Sequence, residues 1–224
     1  MRFVGLLLSC FLIVLAVPRL GAALSLVAGD PALSLLRRGA DVTEDGLTRA
    51  LQSRRKALGW LDLPRADVDL GFLSLYLASH GDAEEGRQMA GTAAAWIEKG
   101  LAKAPANAEG WQLLSAAYLQ NGRPEEAVVA LRQSFAADPF NPFVGQMRLA
   151  SSLTLWDKLD RATKTQATLE ILGIASVYPQ SLVQVATQLD ELDRVLDIIG
   201  ADPILALRVE GVLRAALAQR GFGL

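Results

Sequence analysis

Residues 108–141, AEGWQLLSAAYLQNGRPEEAVVALRQSFAADPFN, hold two amphipathic half-patterns separated by Asn-Gly-Arg-Pro and closed by Asp-Pro. Trp111, Leu114 and Tyr118 fall at i, i+3 and i+7, on one stripe of a helix, and Ala127 and Leu131 at i and i+4 face that stripe from a second helix. Small side chains at Ser115 and Ala127 allow the two helices to approach closely. Asn121-Gly122 supplies permissive backbone at the first helix end. Pro124 with Glu125 and Glu126 then favours a new helix start, with acids near its positive end. The stretch predicts a helical hairpin.

The anchors of this hairpin resemble one tetratricopeptide repeat: Trp111, Leu114, Ser115 and Tyr118 on the first helix, Gly122 at the turn, Ala127 and Leu131 on the second, and Pro139 as the close. Pro105 and Pro139 stand thirty-four residues apart, the period of that repeat. In this register residues 74–107 form a degenerate preceding unit, with Ala93, Ile97 and Gly100 on its second helix and His80-Gly81 where packing residues should fall. The unit after Pro139 begins well at Phe140-Asn141-Pro142-Phe143. It then diverges at Arg161, Thr165 and Gly173, where small residues and proline are expected. The resemblance implies a short tetratricopeptide-like solenoid of helical hairpins; with the N-terminal transmembrane helix read from the apolar run below, the expected fold class is all-α.

The chain has 224 residues, a net charge of −2 and 51% hydrophobic residues, with a mean hydropathy of +0.27 and a pI near 5.5. Such a balance offers no basic stripe for nucleic acid, whose phosphates need Lys and Arg to neutralise them. Charge is nevertheless uneven: residues 1–65 carry nine basic and five acidic side chains, and residues 66–224 thirteen and nineteen. Arg49, Arg54, Arg55, Lys56 and Arg65 read either as a solvated helix face or as partners for anionic lipid headgroups beside an anchor.

Phe3 to Val17, FVGLLLSCFLIVLAV, contains no charge; Pro18-Arg19 and a second apolar run, Leu20 to Ala28, follow. Fifteen helical residues rise only about 23 Å against a hydrocarbon core near 30 Å, so a full span recruits residues from Leu20 onward and lets Arg19 snorkel. The segment reads as an uncleaved anchor through residues 3–27. A cleaved signal peptide is the alternative, with Arg2 as a short basic start and Gly21, Ala22 and Ala23 as small residues at a cleavage site. Orientation is read as N-terminus inside, placing the helical part on the periplasmic side of a bacterial inner membrane. Cys10 is the only cysteine, which excludes an internal disulfide and a cysteine-based zinc site in the helical part.

The predicted organisation is an anchor or signal peptide at 1–28, linking helices at 29–66, tetratricopeptide-like hairpins at 67–175 and capping helices at 176–224. Asp41-Val42-Thr43-Glu44 has the form of a capping box opening a helix through about Gly59. Leu182, Val185, Leu189, Leu192, Leu196 and Ile199 follow alternating spacings of three and four, compatible with packing or with a short coiled coil.

No catalytic constellation, cofactor fingerprint or metal cluster is found. His80 stands alone beside Gly81, and the acid pairs Glu84-Glu85, Glu125-Glu126 and Asp190-Glu191 read as helix-surface or helix-start acids. The resemblance implies a concave face built from first helices. Its candidate partner-binding residues are Glu109, Gln112, Leu113, Ala116 and Gln120, then Phe143, Gln146 and Met147, with Ala150 and Thr154 beyond. The cluster of Lys, Arg and Asn with which some members of that family hold chaperone C-termini is absent from these positions.

The expectation is a non-enzymatic, membrane-anchored adaptor or scaffold binding membrane-associated protein partners in a bacterial envelope assembly or export system, without cofactor, nucleic acid or small-molecule substrate. The alternative is a structural accessory subunit of a larger membrane complex.

Overall fold

The computed structural model describes residues 2–219, with side chains for residues 10–216. Met1, residues 220–224 and the side chains of residues 2–9, all within stretches read above as anchor or cap, lie outside the described residues. The described chain is all-helical, and it divides into two compact units, residues 1–105 and 106–224. The division at Pro105 falls inside the 67–175 stretch that the sequence reads as one run of hairpins.

In the first unit the helices are α1 (Arg2–Val27), α2 (Asp30–Leu36), α3 (Glu44–Trp60), α4 (Pro64–Ala78) and α5 (Ala83–Leu101). Their starts follow local chemistry. Thr43 caps α3 by accepting from the Gly46 N–H at 3.2 Å, and the Asp82 carboxylate caps α5 by accepting from the N–H groups of Glu84 and Glu85. The capping-box reading begins two residues too early: Thr43, with Glu44 and Asp45 in the first turn, makes the cap. Proline opens α4 where a backbone N–H would have no partner.

Close approach is set by glycines. The Trp60 ring lies on the Cα of Gly21, where an added Cβ would come within 2.5 Å of it, and Gly29 sits against Ala50 and Ser53. α3 therefore runs antiparallel to the end of α1. Gly71 meets Ile97, and Gly100 meets the carbonyl of Pro64 and the side chain of Val68, so α4 and α5 form a tight antiparallel pair. Leu33, Leu36, Ala50 and Leu73 fill a core between α2, α3 and α4.

One charged side chain ties this unit together. Arg54 is wholly buried; its Nε donates to Asp69 at 3.2 Å, Nη2 to Asp30 at 2.5 Å, and Nη1 to the Leu26 carbonyl at 3.3 Å and Ser53 Oγ at 2.9 Å. Asp69, also buried, is shared with Arg37 at 2.9 Å. The sequence reading of Arg54 as a solvated or lipid-facing charge is thereby corrected, because Ala50, Ser53 and Ala57 bury the same face of α3. His80 sits at an exposed turn, tilted against Tyr76 at 4.3 Å.

The second unit contains α6 (Ala108–Gln120), α7 (Pro124–Ala137), α8 (Pro142–Thr154), a single 3-10 turn (Trp156–Lys158), α9 (Arg161–Val177), α10 (Pro179–Gln188), α11 (Leu192–Ile199) and α12 (Pro203–Gln219). α6 and α7 are the helices the opening stretch describes. Gly122 takes φ +74° at their turn, the Ser115 hydroxyl donates to the Ala127 carbonyl at 2.9 Å, and Ser134 donates to that of Ala108 at 2.8 Å. Leu131 and Phe135 pack with Leu155, Leu159 and Ala167; Leu149, Ile171, Leu182, Val195 and Ile199 form a second cluster. The apolar pattern from Leu182 to Ile199 is split between α10 and α11. Asp190 at φ 57° turns the chain there, a left-handed conformation that aspartate tolerates better than most residues, so no continuous coiled-coil seam forms.

Replacing Arg54 with Met leaves Asp69 and Asp30 short of a cation. Arg54→Met is expected to lower the unfolding free energy of the detergent-solubilised chain by about 3–5 kcal/mol, the usual cost of breaking a buried pair. A loss of only about 1 kcal/mol in denaturant titration, the scale of an exposed pair, would contradict this role.

Candidate functional site

The concavity of interest in the second unit is built where α7 hands over to α8. Pro139 follows the end of α7, and the Asn141 carboxamide caps α8 by accepting from the N–H groups of Phe143 and Val144 while donating to Asp138 at 3.0 Å. Between these two fixed residues Phe140 is left 85% exposed. The opposing wall is the second half of α9: Gln166, Leu169, Glu170, Gly173, Ile174 and Val177 recur at three- and four-residue steps and so share one side. Gly173 has nothing within 4 Å of where a Cβ would stand, which leaves the floor open. The result is a groove of about 460 Å³, with Tyr178 among its lining residues. Its volume lies in the range of small-ligand and side-chain pockets, and its walls are chiefly apolar, with Phe140, Leu169, Val177 and Tyr178 all substantially exposed.

Beneath it lies the second wholly buried arginine. Arg148 Nη2 donates to Glu170 Oε1 at 2.6 Å and Nε bridges both carboxylate oxygens at 3.1 and 3.2 Å. Nη1 donates to the Ser134 and Asp138 carbonyls, each at 3.0 Å, at the end of α7, where the Ser134 carbonyl also accepts from the Asp138 N–H. The guanidinium also stacks over Phe135 at 4.4 Å. Gly145 admits Glu170 against α8, since a Cβ there would stand 2.7 Å from Oε1. Burial pushes the Glu170 carboxyl above its ordinary range, and the Arg148 hydrogen bond and charge oppose that shift without cancelling it.

The residues singled out in the sequence fall elsewhere. Gln112 is 2% exposed and joins α6 to α8: its Nε2 donates to the Met147 carbonyl and to Ser151 Oγ, each at 2.9 Å. Leu113 is buried beside it. Glu109, Ala116, Gln120 and Met147 are half-buried, and Phe143 and Gln146 are exposed on α8 together with Ala150 and Thr154. None of the eight candidates lines the groove. The structure brings Gln112 and Met147 together through this hydrogen bond and leaves Phe143 and Gln146 as the exposed members of the set. The groove residues were signalled in sequence only by the run Phe140-Asn141-Pro142, an exposed aromatic framed by a proline on each side.

Among the described residues no group of three or more His, Cys, Asp or Glu side chains is placed to hold a metal ion. The carboxylate under the groove is engaged by Arg148, so the arrangement offers apolar contact above an internal ion pair. No family model, curated protein or solved structure matches the chain. Fold and site together define an all-helical protein with an apolar groove and one N-terminal helix, α1, long and apolar enough to cross a membrane.

Glu170 sets a pH dependence of defined sign. Its folded pKa lies above the unfolded one, so its contribution to stability is full below the ordinary carboxylate value and is lost as pH rises through the folded value. Carboxyl NMR titration should place Glu170 above a free glutamate, with Arg148→Met moving it higher still. A Glu170 that titrates below the free value would contradict the dominance of burial.

Proposed function

We propose that this protein is a membrane-anchored, tetratricopeptide-like adaptor that uses its second unit to hold a protein partner in a bacterial envelope assembly or export system, without catalysing a reaction. The observation that carries the reading is the groove between the start of α8 and the end of α9, with Phe140, Leu169, Val177 and Tyr178 exposed around it. Exposed aromatic and aliphatic side chains around a preformed concavity suit an apolar side chain or an amphipathic helix offered by another protein. The hairpin of α6 and α7 supports the repeat-like reading through its Ser115–Ala127 contact and its Gly122 turn. α1 supports the anchor, since Cys10–Val27 is a window of mean hydropathy 2.2 and only 11% of it is buried. On this reading the helical units lie on the periplasmic side of the inner membrane.

A second reading, a structural accessory subunit of a larger membrane complex, is favoured by a different observation. Leu20, Leu24 and Val27 are each at least 60% exposed and recur at four and three residues on α1. Leu24 and Val27 stand in the segment of α1 that packs on α3, where a neighbouring subunit's helix would cover them.

The two readings separate by crosslinking in intact membranes. A photo-reactive residue at Leu169 or Tyr178 is expected to give a discrete protein adduct that Val177→Glu abolishes, whereas the accessory-subunit reading places the adduct at Leu24. Phe143 and Gln146, the exposed members of the α8 set, form the comparison sites. Absence of any adduct at Leu169, Tyr178, Phe143 and Gln146 would remove the adaptor reading.

A further inference from the structure

The inference rests on the reading of α1 as a membrane anchor and concerns the end of the first unit from which α1 emerges. α3 accompanies α1 from Gly29, beside Ala50 and Ser53, to Gly21, beside Trp60, and then stops. Beyond Gly21, towards the start of α1, Phe11, Leu12, Ile13, Val14, Val17 and Leu20 are all exposed. Residues 3–20 rise about 27 Å in a helix, close to the thickness of a hydrocarbon core. The helical rise of α1 up to Leu20 thus matches a bilayer, and α3 beside it ends at Trp60.

The same end is basic and carries an aromatic at its edge. Trp60 is 47% exposed although one face of its ring is seated on Gly21. Gly100 packs on the Pro64 carbonyl, which sets the last turn of α5 beside the first turn of α4. Arg65 is exposed there, and Lys103 bonds both Asp62 and Asp67, with Lys99 donating to Asp67 at 2.9 Å. Arg19 is exposed on α1 just before Gly21, and Lys56 lies one turn before Trp60 on α3. The acids among these groups are Asp62 and Asp67, both engaged by lysine, and Glu98 beside Lys99. Basic side chains therefore predominate around the exit of α1.

We propose that this end of the first unit is a lipid-binding surface that rests on an anionic bilayer, with Trp60 in the interfacial zone and the exposed Lys56 and Arg65 turned to headgroup phosphates, while Lys99 and Lys103 remain on Asp62 and Asp67. An indole is amphipathic and settles at the headgroup level, with its ring against apolar matter and its N–H wet. Lysines and arginines within a Debye length of an anionic surface are drawn to it. Because the ring is fixed to Gly21 and Arg54 fixes the end of α1 to α2 and α4, the unit has a set height relative to the membrane instead of hanging from a loose tether.

The test uses the full chain in lipid nanodiscs on a Cys10→Ser background, with one fluorophore per variant at Trp60→Cys, Arg65→Cys, Ile13→Cys or Glu44→Cys. Nanodiscs contain phosphatidylethanolamine with phosphatidylglycerol, or phosphatidylcholine alone. The expected result is that labels at 60 and 65 are quenched by headgroup-borne nitroxides more than by aqueous iodide in the anionic nanodiscs, and less so in the neutral ones. The label at 44, about 24 Å away along α3, should respond to iodide alone. If the label at 13 is quenched by acyl-chain nitroxides while those at 60 and 65 respond only to iodide, the anchor stands and the lipid surface is overturned. If the label at 13 escapes acyl-chain quenching, the anchor reading fails and takes the proposal with it. Equal headgroup quenching in both lipid compositions would overturn the part assigned to the basic side chains. The label at 65 keeps the test valid where Trp60→Cys disturbs the contact with Gly21.

Discussion

A guanidinium taken wholly out of water must place its five N–H donors on acceptors, and one region of chain seldom supplies them all. Among the described residues each unit contains one such arginine, Arg54 in the first and Arg148 in the second. Arg54 draws its acceptors from the last turn of α1, the first residue of α2, its own neighbour Ser53 and the middle of α4. Arg148 draws its own from the end of α7 and from Glu170 on α9. The backbone acceptors, the Leu26, Ser134 and Asp138 carbonyls, lie at or beside helix ends. The buried cation adds a second donor to the Leu26 and Ser134 carbonyls, which already accept from Gly29 and Asp138 N–H, and so ties the ends of α1 and α7 to the helices that carry the arginines.

For the first unit the consequence reaches the N-terminal helix. Were α1 joined by a flexible linker, its orientation would be independent of the unit. Instead Ala22 and Ser25 are buried, Gly21 and Gly29 permit contact with α3, and the Leu26 carbonyl is held by Arg54. Leu20 to Val27, which the sequence assigns to the anchor, is divided by this packing: one side belongs to the folded unit, while Leu20, Leu24 and Val27 remain bare. Of the small residues Gly21, Ala22 and Ala23 that suggest a cleavage site, Gly21 admits the Trp60 ring, which a Cβ would meet within 2.5 Å, and Ala22 is buried.

The helices themselves were legible because their punctuation is chemical. Pro64, Pro124, Pro142 and Pro179 open helices, Thr43, Asp82, Asn107 and Asp160 cap them, and Gly122 ends one in the left-handed region. Burial of polar side chains was not legible. Arg54 and Gln112 look like surface residues to any reading of polarity, and their burial follows from partners fifteen to thirty-nine residues away. A trace existed in the small neighbours Ala50, Ser53 and Ala57, which mark the Arg54 side of α3 as a close-packed one. The groove was hidden for a related reason. It joins residues 139–145 to residues 166–178, and periodicity reports which side of one helix is apolar, never which two helices leave a gap.

That gap is a consequence of how α8 and α9 are held, not a lapse in packing. Glu170 must reach Arg148 beneath α8, and Gly145 supplies the clearance. With the two helices clamped at this level by an ion pair, the chain above is free to diverge, and Gly173 puts no side chain into the opening. Filling the groove with larger residues would bury apolar area but would also press on a carboxylate that is already short of water. Leaving Leu169, Val177, Tyr178 and Phe140 around an open floor keeps the Arg148 network intact and presents an apolar concavity whose walls are set by charges underneath it.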